Sequence, residues 1–416
     1  MKLLRTIPLS YLLAAAAFPA ALPITEPAAS GMSAERLKRL TAAMRGYVDR
    51  NEVPGAITLV SRRGHIVHLE ATGVMDIDSK LPMKRDTIFR LASMTKPITS
   101  VAVMMLAEEG RFQITDPVSR YIPEFKNPKV VVANFPGSSR AGTKLVPANR
   151  EITIQDLLTH SAGLATGTAP LLTAEWAEFQ KGGSPDEDIA RYTRRLAKLP
   201  LHFHPGTAWE YGPATNVLGY LVEVVSGQRF DRFLAERIFR PLEMTDTFFY
   251  VPDEKLNRLV TVHQPGNSKG VSILRPAAEM RGSKVLFTGA GGLFSTTDDY
   301  ARFCQMLASN GTGNGTRLLG RKTVELMTAN HIGDLPIWPD LAGYKFGLGF
   351  RVLTDVGKSA QPGSLGSYGW GGAFGTYFFI DPKEELFGIL MIQMNSISNL
   401  NIRPDLISLA EQAIVE

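Results

Sequence analysis

Ser93, Met94, Thr95 and Lys96 stand where an extended stretch of the chain gives way to a predicted helix that continues to Gly110. Residues three apart lie on one face of a helix, so the Lys96 amine can reach the Ser93 hydroxyl. The first turn also points free backbone N–H groups at any negative charge that forms beside Ser93. An N-cap serine followed by a surface lysine would give the same four residues, so this stretch alone does not decide between catalysis and structure.

Hairpins and helices are predicted at both ends of the chain. Ser33 and a series of apolar residues at helical spacing predict a helix over 33–50, and β-branched runs at 56–61 and 65–71 predict a hairpin. A second hairpin over 376–393 and an amphipathic helix over 404–415 close the chain. Each helix is expected to pack on a sheet formed by the hairpins.

The middle of the chain, residues 116–281, has a different pattern, with helices and long loops rich in proline and glycine. We therefore predict an α/β (α+β) fold, in which an antiparallel sheet is flanked by helices and a mostly helical lobe is inserted. The sheet domain would be discontinuous, over 30–115 and 282–416, and the helical domain would take 116–281. Ligand clefts favour such a lobe boundary.

Composition excludes several classes of protein. Of 416 residues, 44% are hydrophobic and 20% charged, which is typical of a packed globular protein. The net charge of +5 comes from dispersed residues, so no nucleic-acid partner is expected. Cys304 is the single cysteine, which excludes an internal disulfide. His202 and His204 would share one face of a strand, but without patterned acidic ligands we expect no metal and no cofactor.

The first 21 residues resemble an export signal. Lys2 and Arg5 precede an apolar run over 7–18, small residues follow, and no acidic residue occurs before Glu26. A periplasmic or secreted protein is therefore expected. The alternative is an uncleaved N-terminal helix on a cytoplasmic protein, since Pro8 interrupts the run. No later segment is apolar enough to predict a membrane span.

Four further segments follow the Ser-x-x-Lys stretch in a fixed order. They read Leu-Leu-Thr-His-Ser-Ala-Gly-Leu at 157–164, Trp-Glu-Tyr-Gly-Pro at 209–213, Gly-Gly-Leu-Phe-Ser-Thr at 291–296 and Tyr-Gly-Trp-Gly-Gly-Ala at 368–373. With these segments the chain resembles the serine β-lactamase and penicillin-binding-protein superfamily, in the class C-like branch that contains the family VIII carboxylesterases. The resemblance extends over nearly everything from Met32 onward, and several segments together are more specific than Ser-x-x-Lys alone.

The resemblance implies roles for particular residues. Ser93 matches the nucleophile, and Lys96 and Tyr211 match its activating pair. The backbone N–H groups of Ser93 and Ala373 match the oxyanion hole. The segment Trp370, Gly371 and Gly372 matches the strand that reads Lys-Thr-Gly in β-lactamases and Trp-Gly-Gly in many family VIII esterases. His160 belongs to an element that resembles a structural part of the helical lobe, which implies packing and hydrogen bonding rather than proton transfer.

Departures from the β-lactamase pattern bear on the substrate. Pro213 replaces an asparagine that would orient an amide, and Asn216 lies at the wrong offset to supply it. Trp370 and Gly371 replace the lysine and threonine that would bind a drug's carboxylate. Both changes favour a neutral ester. Trp370 and Phe374 are candidates for apolar walls of the pocket, although either could equally be a core aromatic residue.

These features predict a carboxylesterase that cleaves small, short-acyl esters through an acyl-enzyme on Ser93. A serine hydroxyl needs a base within hydrogen-bond reach, and the pair of Lys96 and Tyr211 would supply it. The alternatives are a β-lactamase, a D-amino-acid peptidase or an acyltransferase of the same fold, and a non-catalytic module that binds cell-wall fragments. A Ser-His-Asp hydrolase is the rival within the same reaction class, and it is disfavoured because the ordered segments match the Ser-x-x-Lys pattern instead.

Overall fold

The computed structural model describes residues 22–134, 142–266 and 270–416. The predicted export signal over 1–21 lies outside these residues. Among the described helices, none combines the length and the apolar character that a membrane span requires.

The helices and strands are numbered in chain order. The helices are α1 (Ala34–Asp49), α2 (Thr95–Glu108), α3 (Ile154–Thr159), α4 (Thr173–Lys181), α5 (Ile189–Leu196), α6 (Ala214–Ser226), α7 (Phe230–Leu234), α8 (Thr297–Ala308), α9 (Arg321–Met327), α10 (Val356–Ser359) and α11 (Ile402–Glu411). The strands are β1 (Gly55–Arg62), β2 (His65–Gly73), β3 (Phe89–Arg90), β4 (Lys129–Ala133), β5 (Thr143–Pro147), β6 (Val262–Pro265), β7 (Val271–Arg275), β8 (Phe294–Ser295), β9 (Thr312–Gly313), β10 (Thr316–Arg317), β11 (Tyr344–Phe346), β12 (Arg351–Leu353), β13 (Tyr368–Gly371), β14 (Tyr377–Asp381) and β15 (Leu386–Met391).

The main sheet has seven strands in the order β11-β12-β13-β14-β15-β1-β2. Every neighbouring pair is antiparallel, and β1 is hydrogen-bonded both to β2 and to β15, so the two chain ends share one sheet. The predicted antiparallel sheet with flanking helices is confirmed. The strand-forming runs and short turns at 56–71 and 376–393 are the sequence features that predicted this sheet.

Both faces of the sheet are covered, which explains why every residue of β1 is buried. Helices α1 and α11 pack together on one face, against side chains such as Val60 and Leu390. Helix α8 lies on the other face, where Ile57 and Ile389 belong to the larger core. Successive side chains of a strand point to opposite faces, so β1 and β15 supply both layers.

Several boundaries differ from the sequence-based expectations. Helix α11 begins at Ile402, before Pro404, because a proline is tolerated in the first turn, where its missing N–H has no helical acceptor. Helix α2 begins at Thr95, and Ser93 lies in a preceding 3-10 turn over Ala92–Met94. The middle of the chain also contains two short hairpins, β4 with β5 and β6 with β7.

Candidate active site

Ser93 is held between a two-stranded ladder and the start of α2. Strand β3 pairs with β8, and the Leu91 N–H donates to the Leu293 carbonyl at 2.9 Å. Ala92 then has a φ of 47°, in the left-handed region that non-glycine residues rarely adopt. Strain of this kind persists only where surrounding structure enforces it, and it clusters at functional sites. No sequence signal marked Ala92.

Lys96 lies one turn after Ser93, as predicted. Its Nζ donates to Ser93 Oγ at 3.2 Å and to the Ala290 carbonyl at 2.7 Å. The residue is only 5% exposed, and it forms no ion pair with a carboxylate in the described part of the chain. A buried amine in contact with a serine hydroxyl is the arrangement that nucleophile activation requires.

The peptide between Gly289 and Ala290, directly before the Ala290 carbonyl, is held by two side chains that were not predicted to lie in the site. Asn216, near the start of α6, accepts a hydrogen bond from the Ala290 N–H at 2.9 Å. Thr99 Oγ1 donates to the Gly289 carbonyl of the same peptide at 2.8 Å. Asn216 has the wrong offset for the family's asparagine, but it supports the segment whose next carbonyl binds the Lys96 amine.

Tyr211 lies beside the amine. Lys96 Nζ is 4.5 Å from the centre of the Tyr211 ring, close enough for a cation–π interaction. The phenolic oxygen accepts a hydrogen bond from Trp370 Nε1 at 3.2 Å, and it makes none with Ser93 or Lys96. The Lys96 amine therefore contacts the Tyr211 ring, while the Trp370 indole binds its oxygen.

Aromatic rings surround Tyr211 on several sides. Trp370 lies 5.3 Å and Trp338 4.9 Å from its ring centre, and these two indoles stack on each other at 5.9 Å with an 18° angle. Trp370 is buried, whereas Trp338 is 41% exposed at the mouth of the site. Trp338 was missed, since an isolated tryptophan in a loop gives no sign of what it packs against.

His160 packs against Tyr211 with 4.7 Å between ring centres. It is buried, and its Nδ1 has no hydrogen-bond partner among the described residues. Burial, and then the charge of Lys96, hold the pKa of His160 well below its usual value, so the ring stays neutral. The ring contacts agree with the packing role, and the His160 carbonyl accepts a hydrogen bond from the Glu210 N–H at 3.0 Å.

The loop that carries Tyr211 is anchored by its neighbour Glu210. The carboxylate contacts His202 Nδ1 at 2.5 Å and accepts hydrogen bonds from the hydroxyls of Thr166 and Thr168. Burial opposes ionisation of Glu210, but the hydrogen bonds from His202 and Thr166 outweigh it and lower the pKa of this carboxyl. An ionised Glu210 therefore fixes the backbone directly before Tyr211.

The prediction that His202 and His204 share one face of a strand is wrong. Their segment follows a single bridge at Leu201 and has no strand geometry. His202 binds Glu210, and His204 Nδ1 accepts from the Asn149 N–H at 3.1 Å. Over the described ranges, no three histidine, cysteine or acidic side chains come together as a metal site.

Glycines 371 and 372 follow the buried Trp370 at the end of β13, and protein atoms occupy the space beside them. A Cβ on Gly372 would lie 2.3 Å from the Leu91 carbonyl oxygen, and one on Gly371 would lie 3.0 Å from Arg403 Cζ. This close approach brings the end of β13 against the segment before Ser93. Ala373, next in the chain, is exposed.

Phe374 is half-buried, and its carbonyl accepts from the Met394 N–H at 2.8 Å. No ring contact connects it with Tyr211 or Trp370, which face each other directly. Its expected contribution to a pocket wall stays a prediction.

Fold and geometry together describe a mixed α/β protein whose buried Ser-Lys pair lies next to a tyrosine, and sequence comparison assigns the class. The profile of the beta-lactamase family matches residues 40–412. The chain belongs to this family of serine hydrolases.

Relatives and a solved structure agree with this assignment. The chain is 32% identical over 372 residues to the lovastatin esterase of Penicillium rubens, covering 83% of this chain and 90% of that protein. It is 29% identical over 391 residues to esterase EstB of Burkholderia gladioli, covering 88% and 93%. The solved structure titled EstCE1, a hydrolase with promiscuous acyltransferase activity, superposes with a TM-score of 0.75 at 24% identity and covers 92% of this chain and 99% of that chain. This last likeness concerns the fold alone.

Proposed function

We propose that this protein is a carboxylesterase that cleaves small neutral esters through an acyl-enzyme on Ser93. The observation that carries the proposal is the 3.2 Å contact between Ser93 Oγ and Lys96 Nζ, made by an amine that is almost completely buried. Two relatives named as esterases support the ester as the substrate class.

Acylation begins when the pair of Lys96 and Tyr211 takes the proton of the Ser93 hydroxyl as Oγ attacks the ester carbonyl carbon. The carbonyl oxygen becomes an oxyanion that accepts hydrogen bonds from the N–H groups of Ser93 and Ala373. The bond to the alcohol then breaks, and Tyr211 returns the proton to the departing oxygen. The acyl group remains on Ser93.

Deacylation repeats these steps with water. The pair takes a proton from water as its oxygen attacks the acyl carbon, and the second tetrahedral intermediate occupies the same oxyanion hole. Ser93 Oγ leaves with the proton, and the carboxylic acid departs. Replacement of water by an alcohol at this step would give acyl transfer, so the two activities differ only in the acceptor.

The walls of the site support a neutral, apolar substrate. Trp338, Trp370 and Tyr211 form one continuous aromatic surface beside the amine. Apolar surface of this kind favours a hydrocarbon acyl or alcohol part over a carboxylate. Pro213 offers no side-chain hydrogen bond to an amide, which argues against efficient hydrolysis of β-lactams and peptides.

The test combines turnover with detection of the covalent intermediate. Purified protein is expected to release nitrophenol from short-chain nitrophenyl esters, and intact mass spectrometry is expected to show one acyl or phosphonate adduct per chain. Ser93→Ala should lose both, whereas Ser184→Ala, at an exposed serine, should keep both. If nitrocefin or a D-Ala-D-Ala peptide were turned over faster than the esters, the protein would be a β-lactamase or a peptidase rather than a carboxylesterase. If no substrate were turned over and no adduct formed, the protein would be a binding module rather than an enzyme.

A further inference from the structure

Arg403 is a cation on α11 that reaches behind the proposed oxyanion hole. Its Nη2 donates to the Gly372 carbonyl at 2.5 Å and to the Thr376 carbonyl at 3.1 Å. Its Nε is buried and has no hydrogen-bond partner among the described residues. Gly371 makes the approach possible, since any side chain there would press on the guanidinium.

No acidic side chain among the described residues pairs with this guanidinium. The groups that act on it electrostatically are Tyr377, Arg351 and Tyr211, none of which is a carboxylate. Burial lowers the pKa of Arg403 to about 10, so the side chain stays protonated at neutral pH. A half-buried cation without a counterion is costly, so stability alone does not explain its position.

The Gly372 carbonyl belongs to the same peptide unit as the Ala373 N–H. A hydrogen bond from a cation to the carbonyl oxygen draws electron density from the amide and makes its N–H a stronger donor. The bond also fixes the orientation of that peptide before substrate arrives, as an oxyanion hole requires.

We propose that Arg403 is a positioning residue that polarises and orients the Gly372–Ala373 peptide, and so strengthens the oxyanion hole without touching the substrate. This inference rests on the proposed function, because it needs an oxyanion at the Ala373 N–H. It gives the C-terminal helix a part in the reaction, although its own sequence contains no hydrolase motif.

The decisive measurement is the carbonyl stretching frequency of the acyl-enzyme, since stronger hydrogen bonds to that carbonyl lower its frequency. Arg403→Met is expected to raise this frequency relative to the wild-type protein. It should also lower kcat and kcat/KM by roughly 10- to 100-fold with KM nearly unchanged, because a weakened donor costs less than the ~100- to 1,000-fold of a lost one. Arg403→Lys keeps the charge, so its carbonyl frequency and kcat should lie between those of wild type and those of Arg403→Met.

Arg351→Met is the matched control. Arg351 lies over the same Tyr377 ring as Arg403, at 5.2 Å against 5.7 Å, but it binds the Tyr377 hydroxyl and not the Gly372 carbonyl. Its removal should leave the carbonyl frequency unchanged. If Arg403→Met does not fold, the carbonyl frequencies of Arg403→Lys and wild type are compared instead. A higher frequency in Arg403→Lys would support the proposal, and an equal one would contradict it.

The outcomes separate the two proposals. An acyl-enzyme that forms on Ser93 with the same carbonyl frequency in wild type and in the Arg403 variants would overturn the role of Arg403 and leave the esterase intact. A wild-type protein that never acylates on Ser93 would overturn both.

Discussion

Lys96 donates its two hydrogen bonds to uncharged oxygens, one on the Ser93 side chain and one on the Ala290 backbone. A carboxylate in place of the Ala290 carbonyl would form an ion pair with the amine, whereas a carbonyl only orients it. The amine therefore faces the Ser93 hydroxyl without a carboxylate partner among the described residues. This property distinguishes the site from a structural ion pair.

Lys96→Met should remove the amine that contacts Ser93 Oγ while preserving the length of the side chain. We expect kcat/KM for nitrophenyl esters to fall by ~100- to 10,000-fold, which is the usual contribution of a positioned general acid or base to the rate. Lys322→Met, at an exposed lysine of α9, should leave the rate unchanged. Full activity in Lys96→Met would point to a histidine-based mechanism, which Ser93→Ala alone could not reveal.

Asn216→Ala tests the support of the Ala290 carbonyl. Loss of the amide oxygen leaves the Ala290 N–H without its acceptor, at a cost of about 1–3 kcal/mol in the free energy of unfolding. Movement of the 289–290 segment should also lower kcat. Urea denaturation and ester hydrolysis measure the two effects, and unchanged values of both would show that Asn216 does not hold this loop.

At the scale of elements, the turn that follows strand β13 contacts the turn before α2 at a backbone oxygen. The Thr376 hydroxyl donates to the Leu91 carbonyl at 3.1 Å, and Gly372 lies against the same oxygen. This contact joins the turn after β13, which carries the proposed Ala373 donor, to the turn that carries Ser93. The distance between the two donors therefore depends on the absence of a side chain at Gly372.

Gly372→Ala should force this contact apart, because its Cβ would lie 2.3 Å from a backbone oxygen that cannot rotate away. We expect a loss of about 1–3 kcal/mol in the free energy of unfolding. We also expect a decrease of at least ~10-fold in kcat. Gly357→Ala, on the exposed helix α10 with only ordinary contacts, is the control that should change neither. Normal kcat in Gly372→Ala would contradict the proposed placement.

The loop before α6 offers a second test. Glu210→Gln keeps the shape of the side chain but removes its charge, and so weakens the bonds from His202 and Thr166. We expect kcat to fall by roughly 10-fold because Tyr211 loses its fixed position. Thr168→Val, which removes one hydrogen bond but leaves the charge of Glu210, should have a smaller effect. Equal effects of the two changes would show that the charge is unimportant.

At the scale of the whole molecule, Glu411 on α11 makes stability depend on pH. Burial, and then the charges of Asp381 and Glu384, raise the pKa of this carboxyl from 4.5 to about 8. Between these two values the folded protein holds a proton that the unfolded chain releases. The free energy of unfolding therefore falls as pH rises through this range, and the dependence ends above pH 8.

Glu411→Gln should remove this dependence, since an amide does not titrate. The urea midpoint of wild type is expected to fall from pH 5 to pH 8 more steeply than that of Glu411→Gln. Glu254→Gln, at an exposed position, serves as the control and should follow wild type. Parallel curves for wild type and Glu411→Gln would contradict a protonated, buried Glu411.

Four strands of the sheet could be predicted without any structure, because the strand-forming runs joined by short turns at 56–71 and 376–393, and the helical spacing of apolar residues in the flanking helices, are local patterns. The contact between Ser93 and Lys96 could also be predicted, since both residues belong to one turn of backbone. The order of the remaining segments indicated the family and singled out Tyr211 and Trp370 before any geometry was known.

The surroundings of these groups follow from tertiary packing and could not be predicted. Asn216, Trp338 and Arg403 reach the site from α6, from a loop and from α11, and nothing in their local sequence specifies those contacts. The strain at Ala92 and the hydrogen bond between Trp370 and Tyr211 likewise need elements distant in the chain. Local patterns fix the backbone hydrogen bonds of helices and hairpins, whereas the packing of side chains across elements depends on the whole molecule.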